Sequence, residues 1–270
     1  PKSFNIHQQN NLKNYISRLK PSWTGRFVYF FLPFRKKVVL QNMSRVFGAV
    51  LNEEEIKKLA KGFYSHTMTA LKETLFLRLW PPSRLKKCVE INGLEHMYQL
   101  LEEKTKGVIL ITGHFGSWEF APIAGMLHFP EFKNRFYFVR KYLSNKWLEK
   151  ILFSRYRDAG LQVIPKKNSL QKVCQALEEN NAVIFVLDQH SSTTKREGIV
   201  VDFFGHPAGT YRSPAVIAQH MNVPVMPVRS YRRQDGIHVL EFGKRFKWIS
   251  HADHQEEIKL NTEQFNQALE

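Results

Sequence analysis

The stretch Val108 to Phe120 reads VILITGHFGSWEF: an apolar run, a glycine-flanked turn, then His114 and Glu119 with four residues between them. An imidazole titrates near neutrality and can take a proton from a hydroxyl. A carboxylate at its other ring nitrogen fixes the tautomer and stabilises the imidazolium. Gly113 and Gly116 permit the tight turn that would return Glu119 to the ring. Spacing alone leaves another reading open, a loop histidine followed by a helix-capping glutamate. Two more strand-like runs end in polar groups: AVIFVLD at Asp188 and FYFVR at Arg140. Open α/β sheets build their sites just beyond the carboxyl ends of strands. Three neighbouring strands that each deliver a polar group to one edge say more than any one residue. Arg157, in SRYRDAG, is either a solvated helix arginine or a guanidinium fixed on phosphate or a developing oxyanion. Asp188 is either a turn residue or an acid orienting Arg157 by charge pairing.

Competing chemistries find little support. GHFGSWE is not H-E-x-x-H, and His128, His190 and His206 stand at no familiar ligand spacing around His114, so no metal is expected. There is no G-x-S-x-G elbow, Walker loop or G-x-G-x-x-G, which argues against hydrolase, nucleotide and nicotinamide chemistry. Two cysteines, Cys88 and Cys174, make neither a disulfide framework nor a metal site, and fit a cytosol-facing protein. The formal charge of +16 calls for an anionic partner: nucleic acid, an anionic membrane, or an acidic carrier or substrate. Clusters such as RFVYFFLPF, beside Arg and Lys, favour the membrane interface over base stacking. No run reaches the 18 or more apolar residues of a membrane span, and no cleavable signal peptide is visible.

The elements that must position these groups follow from periodicity. Residues 1 to about 50 read as amphipathic helix broken at Pro33, packed on the domain, lying on a membrane, or both. Asn52 caps a helix with acids in its first turn, stopped by Pro81 and Pro82. From about residue 88, strands alternate with helices: VEIN, VILIT, RFYFVRK, LQVIP and AVIFVLD with helical stretches between them. A long loop follows, then the helix SPAVIAQHMN, two strands joined at Asp235-Gly236, and a polar helix. The expected fold is one α/β domain with a mixed, largely parallel sheet flanked by helices. Residues 1–85 form its helical, membrane-proximal extension and residues 86–270 its core.

The blocks resemble a known family in order. GHFGSWE is similar to the H-x4-[DE] box of glycerolipid acyltransferases within the lysophospholipid acyltransferase superfamily. LPFRKKVVLQNMSRVFG, GVILITGHFGSWEF, FVRKYLSNKWLEKILFSRYRDAG, VIFVLDQH and GIVVDFFGHPAGTYRSPAVIAQHMNVPVMPV resemble successive blocks of the late, or secondary, acyltransferases of lipid A biosynthesis. The likeness spans roughly residues 35 to 270. His190 stands where the family more often has acidic or glycine-rich sequence after Asp-Gln. The family's N-terminal anchor and its Arg-, Pro- and Trp-containing tail find no counterpart, and the resemblance predicts them outside these 270 residues.

The resemblance implies an O-acyltransferase that needs no cofactor, at the cytoplasmic face of the bacterial inner membrane. Its donor would be acyl carrier protein or acyl-CoA, and its acceptor an anionic glycolipid, a lipid A precursor, with no nucleic acid involved. His114 would be the general base, Glu119 its orienting acid, and Arg157 with Asp188 a pair placing phosphate or the oxyanion. Arg140, Asn145 and Gln189 would help to bind substrate. Two alternatives stay open: acylation of another glycolipid of the phosphatidylinositol mannoside kind, and a basic membrane-binding module without catalysis.

Overall fold

A computed structural model describes residues 4–32, 34–77, 79–103, 106–140, 144–166, 168–193 and 197–270. Pro33, expected as a helix break, lies outside the described residues, as do residues 141–143 of the Arg140 to Asn145 block. The chain groups into two compact units, residues 1–76 and 77–270.

The first unit is helical: α1 (Ile6–Arg18), α2 (Trp23–Phe31), α3 (Lys36–Phe47) and α4 (Glu53–Phe76). The first three pack on α4. Asn52 caps α4 as its sequence predicts. Its side-chain oxygen accepts from the Glu55 N–H at 3.0 Å, while the Glu55 carboxylate accepts from the Asn52 N–H at 2.9 Å. This reciprocal box, with Glu53 and Glu54 beside it, satisfies orphan N–H groups at the positive end of the helix. α2 meets α4 closely because Gly25 has no side chain: a Cβ there would stand 2.0 Å from the Ser65 Oγ. No helix among the described residues is long and apolar enough to cross a membrane.

The second unit begins earlier than residue 86. α5 (Pro82–Lys87) buries Leu85 in its core. After it come β1 (Val89–Asn92), α6 (Leu94–Glu102), β2 (Val108–Thr112), α7 (Phe120–Gly125), β3 (Phe136–Arg140), α8 (Lys146–Asp158), β4 (Leu161–Pro165), α9 (Ser169–Glu178) and β5 (Ala182–Val186). The chain continues through β6 (Gly198–Phe203), β7 (His206–Tyr211), α10 (Ser213–Met221), β8 (Val225–Arg232), β9 (His238–Phe242) and α11 (His254–Gln267). Seven strands form one sheet in the order β1-β9-β8-β2-β5-β3-β4. Within this sheet, among the described residues, β8–β9 is the one antiparallel pairing. The α/β class and the mixed, largely parallel sheet are as the sequence predicts.

β2 shows why the sheet is covered on both faces. Successive side chains of a strand point oppositely. Val108 and Leu110 enter a core with α5, α6 and α7, whereas Ile109 and Ile111 enter another with α9, α10 and α11. A strand buried on both faces must be apolar throughout, as VILI is. The loop expected before α10 instead contains β6 and β7, an antiparallel pair outside the main sheet. Its two-residue turn, Phe204-Gly205, has positive φ at both positions (53° and 75°), the geometry that matches strand twist.

The turn after β2 is fixed against β8. Gly116 has φ 55°, and a Cβ there would stand 2.7 Å from the Ser230 carbonyl oxygen. The Ser230 hydroxyl donates to the Phe115 carbonyl at 2.8 Å. Gly116→Ala therefore meets both backbone strain and a clash. Urea unfolding of this variant should show a loss of about 1–3 kcal/mol; an unchanged midpoint and slope would contradict this account of the turn.

Candidate active site

The strand order brings the chemistry together. β2, β5 and β3 are adjacent and parallel, so His114, Asp188 and Arg140 emerge at one edge. Leu187 donates its N–H to the Thr112 carbonyl at 2.9 Å, holding the two exits side by side. Asp188 then grips His114 at two points. One carboxylate oxygen accepts from the His114 backbone N–H at 2.7 Å, and the other lies 2.9 Å from the ring Nδ1. With Nδ1–H donating to the carboxylate, Nε2 is the nitrogen left to accept a proton. A Cβ at Gly113 would lie 3.3 Å from the Asp188 oxygen that accepts the backbone N–H, and nearer still to the Phe115 ring, so glycine eases the approach.

The electrostatics follow from this contact. The hydrogen bond to Asp188 raises the His114 pKa above the ordinary 6.5. Partial burial opposes the rise, while the charges of Asp188 and, less strongly, Glu119 add to it. For Asp188, burial pushes the carboxyl up. The hydrogen bonds from the His114 ring and backbone, together with the imidazolium, outweigh burial and leave it below the ordinary 3.8. About a third of the His114 side chain is exposed (36%), so it is held yet reachable. The Trp118 ring stands edge-on to it, centroids 5.4 Å apart.

Beneath the edge lies a cavity of about 370 Å³, in the range of small-molecule sites. Alternate residues of β2 (Leu110, Thr112) and β5 (Ile184, Val186) line it, with Phe138 of β3 and Val228 of β8 among their neighbours. α7 lines it through Pro122, the turn after α7 through Met126, and α8 through Phe153 and Tyr156. His114 lies at its margin with Glu119. The sequence reading is corrected at Glu119. Its carboxylate accepts from the Tyr156 hydroxyl, while Asp188 is the acid at the imidazole Nδ1. Burial, the Glu119 charge and that hydrogen bond hold the phenol protonated well above its ordinary range.

The expected Arg157–Asp188 pair is not made among the described residues. Arg157 is exposed on the last turn of α8 and does not line the cavity. Arg140 does line it, with its guanidinium carbon 3.1 Å from the Phe153 centroid and a 3.2 Å ion pair to Glu149. Asn145 accepts from the Trp147 N–H at 3.0 Å, a bond that caps the start of α8. Gln189 is exposed beside Asp188, outside the cavity lining. Tyr156, Phe153 and Ser230 were missed. Tyr156 adjoins Arg157 in sequence, but one residue turns a helix by about 100°, so a shared motif puts one side chain inward and the next outward.

These features define a class: an α/β sheet with an acid-held histidine at the carboxyl ends of its parallel strands, beside an apolar cavity. The particular family follows from comparison. Residues 12–270 match the family model of the bacterial lipid A biosynthesis acyltransferases, and the chain belongs to that family. It is 31% identical over 91 residues to a lipid A biosynthesis lauroyltransferase of Escherichia coli K12, covering 34% of this chain and 29% of that protein. It is 28% identical over 159 residues to the E. coli K12 lipid A biosynthesis palmitoleoyltransferase, covering 59% and 49%. A lipid A biosynthesis acyltransferase of Shigella flexneri matches with the same values. The matched stretches thus span half or less of these relatives' lengths.

The His114 titration can be read by NMR at its ring protons. Its midpoint should lie above 6.5, and Asp188→Asn should lower it, because partial burial then acts against a weaker opposing charge. An unchanged midpoint in Asp188→Asn would show that the contact does not set the base strength.

Proposed function

We propose that this protein transfers a fatty acyl chain from the thioester of acyl carrier protein to a hydroxyl of a lipid A precursor, at the cytoplasmic face of the inner membrane. The observation that carries this reading is His114, oriented by Asp188 at the margin of an apolar cavity. His114 Nε2 takes the proton of the acceptor hydroxyl. The hydroxyl oxygen attacks the thioester carbonyl carbon, and the carbon–sulfur bond breaks as the tetrahedral intermediate collapses. The imidazolium returns its proton to the departing thiolate, leaving an ester and a free thiol. Asp188 balances the imidazolium while it exists, with Glu119 adding negative charge from the cavity wall. The apolar cavity suits the acyl chain, and the net charge of +16 suits both an acidic carrier and an anionic acceptor. Arg157, exposed on α8, serves here to attract an anionic group from solvent.

The test is product formation from acyl carrier protein thioesters and a lipid A precursor in detergent, with acyl-CoA as a parallel donor. His114→Ala should lower the rate by about 10²–10⁴-fold, the scale of a lost general base. Equal, background-level product from wild type and His114→Ala would contradict the reading and favour a binding module without catalysis.

A further inference from the structure

We propose that Tyr156 is a positioning residue for the base: by holding the Glu119 carboxylate on the cavity wall, it keeps a second acid off the imidazole and leaves Nε2 open to the acceptor hydroxyl. The role rests on His114 acting as the base of the proposed transfer. Asp188 already occupies Nδ1 and the His114 backbone N–H. Nε2 is then the ring atom that must meet a hydroxyl, and it has room for one partner at a time. Glu119 lines the same cavity and is near enough for its charge to act on His114. It stands at the N-cap position of α7 yet makes no side-chain capping bond there among the described residues. A loose carboxylate in an apolar wall is drawn to the nearest cation, and the imidazolium formed during transfer is one.

The other cations near Glu119 are engaged elsewhere. Besides the Asp188–His114 contact, the charged groups at the cavity are Glu119 itself, Arg140 of β3 and Arg229 of β8. Arg140 pairs with Glu149 at 3.2 Å, and Arg229 with Glu241 at 3.1 Å. Glu119 accepts instead from the Tyr156 hydroxyl of α8. Packing keeps that donor in place. Tyr156 is buried, edge-on to Phe138 at 4.9 Å and stacked on Phe153 at 5.4 Å. Phe153 in turn carries the Arg140 guanidinium carbon 3.1 Å from its centroid. Burial and the Glu119 charge keep the phenol protonated, so it donates at every pH at which the base acts.

Two readouts on the full chain test this: the His114 ring titration by NMR, which needs no substrate, and kcat/KM for acyl transfer against pH. Tyr156→Phe keeps the ring packing and removes the donor, and signal dispersion in the same spectra shows that the variant folds. Freed, Glu119 pairs with the imidazolium at Nε2. The titration midpoint and the acidic limb should then both move up, and kcat/KM near neutral pH should fall roughly tenfold or more. In a Glu119→Gln background there is no charge to swing, and Tyr156→Phe should move neither midpoint nor limb. A packing role alone would lower activity equally in both backgrounds without moving the titration, and that result would overturn the proposal. A midpoint that stayed in place or fell in Tyr156→Phe would overturn it too. Absence of transfer by the wild type would count against the transferase reading, and the titration still decides whether Tyr156 holds Glu119 off the ring.

Discussion

The two-point contact between Asp188 and His114 is the constraint on which the rest of the site depends. A single hydrogen bond to the ring would leave it free to pivot about that bond. Adding the His114 backbone N–H to the same carboxylate fixes the loop and the ring together. That arrangement requires β2 and β5 to be neighbours, in parallel, and to end at the same level. The arrangement is eased by glycine at residue 113, since a Cβ there would stand 3.3 Å from the carboxylate. It also requires the following turn to lie flat on β8, which Gly116 and the Ser230 hydroxyl secure. The apolar run of β2 thus serves the proposed chemistry, since it buries the strand that aims the histidine.

The cavity has a related logic. Alternation along the strands sends one set of side chains toward α7 and α8, and these line an apolar volume next to the imidazole. Low polarity strengthens electrostatic interactions inside, and an unpaired charge there would be costly. The polar groups of the wall are accordingly paired: Glu119 with Tyr156, and Arg140 with Glu149. Tyr156 and Phe153, one helical turn apart on α8, close the wall with their stacked rings 5.4 Å apart. In the proposed reaction this leaves Asp188 as the acid in contact with the base, and Glu119 as a fixed negative charge.

Much of this was legible in the sequence, and the failures have physical reasons. Alternating strand and helix patterns revealed the α/β core, and the polar residues ending three apolar runs located the edge where the site forms. The partner of His114 was misread because Glu119 is near in sequence. Strand adjacency instead delivers Asp188, 74 residues away, and no local spacing encodes that. The Arg157–Asp188 pairing fails for a different reason, helix phase. Motif proximity says nothing about helix phase, and Arg157 points outward while Tyr156 points in. Asn145 proved to be a cap, a role that its place before a helix could have suggested. The β6–β7 hairpin is hard to read from sequence because its turn, Phe204-Gly205, lacks the usual Asn or Asp signal.

In the proposed transfer, Asp188 sets the strength of the base by holding His114. The pH dependence of kcat/KM for acyl transfer, compared between wild type and Asp188→Asn, tests it most directly. A base must be deprotonated to act, so the rate should fall as pH drops through the raised His114 pKa, placing the wild-type acidic limb above 6.5. In Asp188→Asn the limb should move down and the plateau should fall by about 10²–10⁴-fold, as when a histidine loses its orienting acid. A variant that kept both the wild-type plateau and the wild-type limb would contradict the account.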